Sequence, residues 1–134
     1  MRIKIQLSQS AIALIDYIKS VVLIEENDNI TNGEAVERAF LGITDEELTK
    51  LDYRMLSAAE PELLREYVHM NGFVDSNVVT TLNLSPETIV RVNKSQNVIK
   101  QCMQLNRVKK SYAIKLIIIA YLLDKKGVLA DYLR

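Results

Sequence analysis

The chain has 134 residues, 49% of them apolar and 25% charged, which fits one compact domain or two very small ones and excludes a disordered tail. Its seventeen basic and seventeen acidic residues cancel, but unevenly. Residues 1–43 hold four basic and six acidic residues, residues 44–78 three and eight, and residues 79–134 ten and three. A basic end joined to an acidic middle suggests a face that attracts an anion and a segment held away from it. The single cysteine, Cys102, forbids an intrachain disulfide and suggests a reducing, cytoplasmic compartment. No signal-peptide pattern opens the chain, and the longest apolar run, Leu116 to Leu123, is too short to span a membrane, so no membrane contact is expected.

The first element is the alternating stretch Arg2-Ile3-Lys4-Ile5-Gln6-Leu7, with Ile3, Ile5 and Leu7 on one face and Arg2, Lys4 and Gln6 on the other, the period of a half-buried strand. Ser8 can cap the helix that follows by accepting a bond from an orphan backbone N–H. That helix carries the stripe Ala11, Leu14, Ile15, Ile18 and Val22 and ends in the polar cluster 25–29. A shorter helix should begin near Thr31 and turn Val36, Ala39, Phe40 and Ile43 inward. Asn32-Gly33 also suits a tight hairpin turn, but the helix formers behind it favour a helix.

Thr44-Asp45-Glu46-Glu47 is a capping box. The helix behind it should turn Leu48, Leu51, Met55 and Ala59 inward, Pro61 should open another, and Asn71-Gly72 should stop that one. Residues 44–72 thus read as a helical hairpin inserted in the chain.

The opening order then returns. Val79-Thr80-Thr81-Leu82-Asn83-Leu84 is a weaker alternating strand, with Thr80, Leu82 and Leu84 inward. Ser85-Pro86-Glu87 reads as a cap and first turn of a helix with Ile89, Val92, Ile99, Cys102 and Met103 on its inner side and Asn93, Ser95 and Gln96 making its middle polar. The run 111–123 is apolar on nearly every side. It reads as a helix buried all round at the centre, although its isoleucines also suit a buried strand.

Strand, helix, turn, helix, found twice, resembles the ribbon-helix-helix family of DNA-binding proteins, over about residues 1–43 and 79–123. The resemblance implies a mainly α fold in which two strand-helix-helix units share an antiparallel β-ribbon covered by helices. The first unit would be 1–43, the acidic hairpin linker 44–78, and the second unit 79–134 with the buried apolar helix. In that family the ribbon enters the major groove and its outward side chains read base edges. Carried over, the readers would be Arg2, Lys4 and Gln6 on one strand and Thr81 and Asn83 on the other, types that suit guanine and adenine edges.

Phosphate would be held at the start of each second helix, at Thr31 and Asn32 and at Lys109, Lys110 and Ser111. Val79 replaces a polar reader, Thr80 an apolar inner residue, and the inserted hairpin is foreign to short members of the family. The implied function is a sequence-specific double-stranded DNA-binding repressor or a plasmid copy-control or replication regulator.

Lys115, with Arg107, adds charge beside Lys109 and Lys110 that could also neutralise phosphate; the plainer reading of these residues is a solvated helix start, and of the strand residues a solvated edge guarded by charge. A rival function is an antitoxin-like or adaptor module in which 44–72 holds a protein partner and the ribbon only dimerises. The apolar helix leaves room for a homodimer. His69 stands alone, no glycine-rich phosphate loop occurs and no nucleophile has a plausible base, so no enzyme, metal or cofactor is expected. The two unlike strands lead us to expect a ribbon formed within one chain.

Overall fold

The computed structural model describes residues 1–69 and 76–134. The chain is mainly helical with one small antiparallel sheet. In order it runs β1 (Arg2–Ser8), α1 (Gln9–Glu26), α2 (Asn32–Gly42), α3 (Asp45–Lys50), α4 (Tyr53–Leu63) continued by a π-helical turn (Leu64–Val68), β2 (Asn77–Asn83), α5 (Pro86–Met103), α6 (Lys110–Lys125) and a terminal 3-10 turn (Leu129–Tyr132).

The two strands pair with each other inside one chain. Arg2 stands opposite Asn83, Lys4 opposite Thr81 and Gln6 opposite Val79. Backbone bonds from Leu84 N to Met1 O and from Gln9 N to Ser76 O, each 2.8 Å, extend the ladder at its two ends. Leu7, Leu82 and Leu84 are buried beneath the ribbon, with Ile3 and Ile5 packed partly against the same core.

The two strand-helix-helix segments match landmark for landmark. Ser8 caps α1 by accepting from Ala11 N, and Ser85 caps α5 by accepting from Thr88 N. Each helix is 18 residues long and stops at a left-handed residue, Asn27 (φ 53°) or Gln104 (φ 55°). At the same constant displacement along the chain, Lys4 answers to Thr81, and these two are cross-strand partners. The internal two-fold therefore passes through the Lys4–Thr81 pair.

The second helices are where the halves diverge. In α2 one face is buried through Ala35, Val36, Ala39 and Phe40, while Leu41 stays half exposed. In α6 every residue from Leu116 to Leu123 is buried. The difference has a cause in sequence: α2 interrupts its apolar residues with Glu34, Glu37 and Arg38, whereas α6 has no charged residue from Leu116 to Leu123. It also has a cause in packing, because α6 meets α1, α2, α5 and β1 on the ribbon side and α4 and the terminal turn on the other. Fully burying one aliphatic side chain contributes about 1.5–3 kcal/mol, so the second cover is a large share of the core.

The insert departs from expectation in three places. The helix after Thr44 ends at Lys50 because the backbone at 50–52 is used by the C-terminal segment: Leu51 bridges to Leu133, Asp52 N donates to Tyr132 O and Arg134 N donates to Lys50 O. Asp52 then starts α4 afresh by capping Met55 N at 3.2 Å.

The restart moves the buried stripe to Tyr53, Leu56 and Leu63, which leaves Met55 exposed and Ala59 only partly covered. Pro61 does not open a helix but lies inside α4, where it has no N–H to give to the preceding turn. Beyond it the helix widens into the π-helical turn, and Leu64 N donates to the carbonyls of both Glu60 and Pro61. The widened turn stacks Tyr67 on Tyr17 of α1, rings 4.6 Å apart and 15° from parallel. The proposed stop at Asn71-Gly72 lies outside the described residues.

Ser95, expected to make α5 polar, is fully buried, its hydroxyl donating to Val92 O at 2.6 Å. It occupies the place that Ile18 holds in α1. The helix reading of Asn32-Gly33 holds over the turn: Thr31 caps Glu34 N at 3.1 Å, and Glu34 reaches back to Thr31, a capping box. The glycine is needed for a different reason. A Cβ on Gly33 would lie 2.6 Å from Asn83 O and 2.8 Å from Asn83 N, so α2 sits directly on the backbone of β2.

Gly33→Ala is therefore expected to lower stability by about 1–3 kcal/mol, as overpacking does where neither backbone can retreat. Urea unfolding would show this as a lower midpoint, and an unchanged midpoint would contradict the close contact.

Candidate nucleic-acid interface

The outward face of the ribbon carries Arg2, Lys4 and Gln6 from β1 and Val79, Thr81 and Asn83 from β2, all exposed. The five residues expected to read bases thus share one face. Val79 joins them as an apolar neighbour opposite Gln6, 53% exposed. The alternation alone places them there, because successive side chains of a strand point to opposite sides.

At each end the ribbon forms a groove with the start of a second helix. The α6 groove, about 720 Å³, is lined by Lys4 and Gln6, by Asn77 and by Lys109, Lys110 and Ser111. Its counterpart across the two-fold, about 590 Å³, is lined by Arg2, Thr81 and Asn83 with Thr31, Gly33, Glu34 and Glu37 of the α2 side. The residues expected at phosphate therefore lie beside the expected base readers at both ends, except Asn32, which does not line the α2 groove. Its amide accepts from Lys19 Nζ at 3.0 Å and donates to Thr80 Oγ1 at 3.5 Å, so its side chain ties α1 and α2 to β2.

The two helix starts differ in chemistry. In α2, Thr31 takes one of the orphan N–H groups and Glu34 takes the backbone N–H and hydroxyl of Thr31. The positive end of that helix already faces a carboxylate of its own chain. In α6, Lys109 stands at the cap position and no side chain caps the helix. The exposed ammonium of Lys110 is held nearby by Asn93 Oδ1 at 2.9 Å and Gln96 Oε1 at 3.2 Å. Gln96 also donates to Val108 O at 2.9 Å, which fixes the loop before α6. The polar middle of α5 is accounted for by these bonds.

Lys115 is not part of this surface. Its ammonium lies 3.2 Å from Glu60 Oε2 of α4, with the two side chains only 18% and 19% exposed, and its charge is committed to holding the insert on α6. Among the described residues the insert is tied down elsewhere by surface pairs: Asp45 with Lys94 of α5 and Glu66 with Lys126. The hydrogen bond from Lys94 holds the Asp45 carboxyl below its ordinary range, and the bond to Glu66 raises the Lys126 ammonium above its own.

The acidic side of the α2 groove escaped the sequence reading. Glu34 could have been found as the fourth residue of Thr-Asn-Gly-Glu, a capping box of the same form as Thr44 to Glu47. Glu37 could not, because its place beside the ribbon comes from tertiary packing, with Thr88 Oγ1 donating to Glu37 Oε2 at 3.2 Å. His69 is exposed at the end of the π-helical turn, with φ 56°. Among the described residues no three histidine, cysteine or acidic side chains form a metal-binding group, and no helix is long and apolar enough to cross a membrane.

Comparison of the chain with protein-family models, curated proteins and solved structures found no match.

Lys115→Ala leaves the Glu60 carboxylate half-buried without its partner and is expected to lower stability by roughly 1–3 kcal/mol. It should leave any DNA affinity of the folded protein unchanged. Thermal melts beside a DNA titration would check both, and a loss of affinity without a loss of stability would contradict the assignment.

Proposed function

We propose that the chain is a sequence-specific double-stranded DNA-binding regulator of transcription or of plasmid replication that reads the major groove with a ribbon made by its own two strands. In this reading the two segments are tandem ribbon-helix-helix units joined by residues 44–78. One observation carries it: Arg2, Lys4, Gln6, Thr81 and Asn83 project from one exposed ribbon face, flanked at both ends by the starts of second helices. A two-stranded ribbon fits the major groove, and its outward donors and acceptors match base edges there.

Lys4 and Thr81 at the two-fold would sit over the centre of the site. Arg2 with Asn83, and Gln6 with Val79, would flank it. The flanks are unlike, so the site is not a palindrome. The Gln6 and Val79 end offers an amide for adenine and an apolar contact for a thymine methyl, whereas the Arg2 and Asn83 end suits guanine and adenine.

The adaptor reading has less support. The apolar sides of α3 and α4 are used within the chain, where Leu48, Tyr53, Leu56 and Leu63 are buried. The ribbon is complete without a second chain, so it has no need of one to form.

Selection from a random duplex pool at low salt should yield a preferred asymmetric site. Lys4→Ala and Asn83→Ala should each lose about 1–3 kcal/mol of discrimination on it with an unchanged melting temperature, since both side chains face away from the core. Lys109→Ala should weaken binding to all duplexes alike and lower the slope of log affinity against log salt by about one. Unaltered discrimination in both ribbon variants would sink the ribbon as reader.

A further inference from the structure

The two grooves beside the ribbon are related by the internal two-fold, yet their charges are opposed. The α6 groove brings together Lys4, Lys109 and Lys110 around a helix start that no side chain caps. The α2 groove is lined by Arg2 together with Glu34 and Glu37, at a helix start whose N–H already bonds within its own capping box. A DNA strand crossing the ribbon would meet three cations at one end and two carboxylates with one cation at the other. At physiological salt, charges interact over about 8 Å, so each groove acts on its own stretch of backbone and the difference is not averaged out.

We propose that the ribbon is anchored to duplex phosphate on the α6 flank alone, and that Glu34 and Glu37 hold backbone away on the α2 flank. The protein then lies on DNA in one fixed direction with a one-sided phosphate footprint. This rests on the DNA-binding reading and adds to it the property that ribbon contacts alone do not supply, which is orientation. The carboxylates act as specificity elements: on the α2 flank only favourable base contacts from Arg2 and Asn83 can offset the repulsion, so a mismatch there would release that end.

The test is phosphate-ethylation interference on the selected duplex, run with the wild-type protein, with Glu34→Gln/Glu37→Gln and with Lys109→Ala/Lys110→Ala. Glutamine serves in a capping box as glutamate does and can still accept from Thr88, and matched melting temperatures verify the fold. Wild type should show interference on one side of the site centre only. The glutamine variant should bind at least about threefold more tightly at low salt, as loss of like charge near phosphate implies, and should gain interference on the other side. The lysine variant should lose the original cluster, with the salt slope reduced by about two.

Symmetric interference in wild type, or a glutamine variant with unchanged affinity and footprint, overturns the one-sided anchor while leaving DNA binding intact. A wild-type protein that retards no duplex at low salt overturns the DNA reading itself and the anchor with it.

Discussion

The pairing of β1 with β2 is the constraint from which the rest of the structure follows. Two strands alone are marginal in water, so the ribbon exists only where its inner face is covered. That cover comes from α1, α2 and α6, which pack against the strands. Ser8 and Ser85 make the handover by capping α1 and α5 in the same way. Residues on the outer face are then left exposed as a consequence of pleat and register, with no contribution to the core. Separation of roles along one strand is what lets the surface vary in chemistry while Leu7, Leu82 and Leu84 hold the fold.

Closing the ribbon inside one chain also frees the two halves to differ. With two identical chains, any change in a helix would be made twice. Here α6 is buried along Leu116 to Leu123 with a second cover from α4, while α2 has a charged outer side. The half-buried Lys115–Glu60 pair and the Tyr17–Tyr67 stack fix that cover to the two halves. The same freedom explains the unequal grooves, one lined by lysines and the other by glutamates. The close seat of Gly33 on Asn83 shows how tightly the helix start that carries Glu34 is positioned against the ribbon.

The parts legible in the sequence were those set by local chemistry. Alternation in Arg2 to Leu7 gave the strand and its faces, serine and threonine marked four helix starts, and the apolar run 111–123 gave the central helix. The parts that were not legible depend on residues distant in sequence. The break at Leu51 arises from backbone bonds to residues 132–134, which no local pattern encodes. Pro61 has good helix-start chemistry, yet α4 had already begun at Tyr53 through the cap at Asp52.

For the candidate site, the outward placement of Arg2, Lys4, Gln6, Thr81 and Asn83 followed from period alone, whereas the side chains around them did not. Lys115 looked like one more cation beside Lys109 and Lys110, but one further turn of helix carries it to Glu60. Ser95 is buried because its hydroxyl finds the Val92 carbonyl within its own helix. A polar letter in the sequence does not record that satisfaction.

The most direct test of the account is the number of chains that one DNA site takes up, measured as the mass of the protein–duplex complex by native mass spectrometry. A ribbon built from both strands of one polypeptide predicts one chain of 15.3 kDa per duplex carrying a single site. Two chains on a site with symmetric halves would show that strands of different chains make the reading unit and would contradict it.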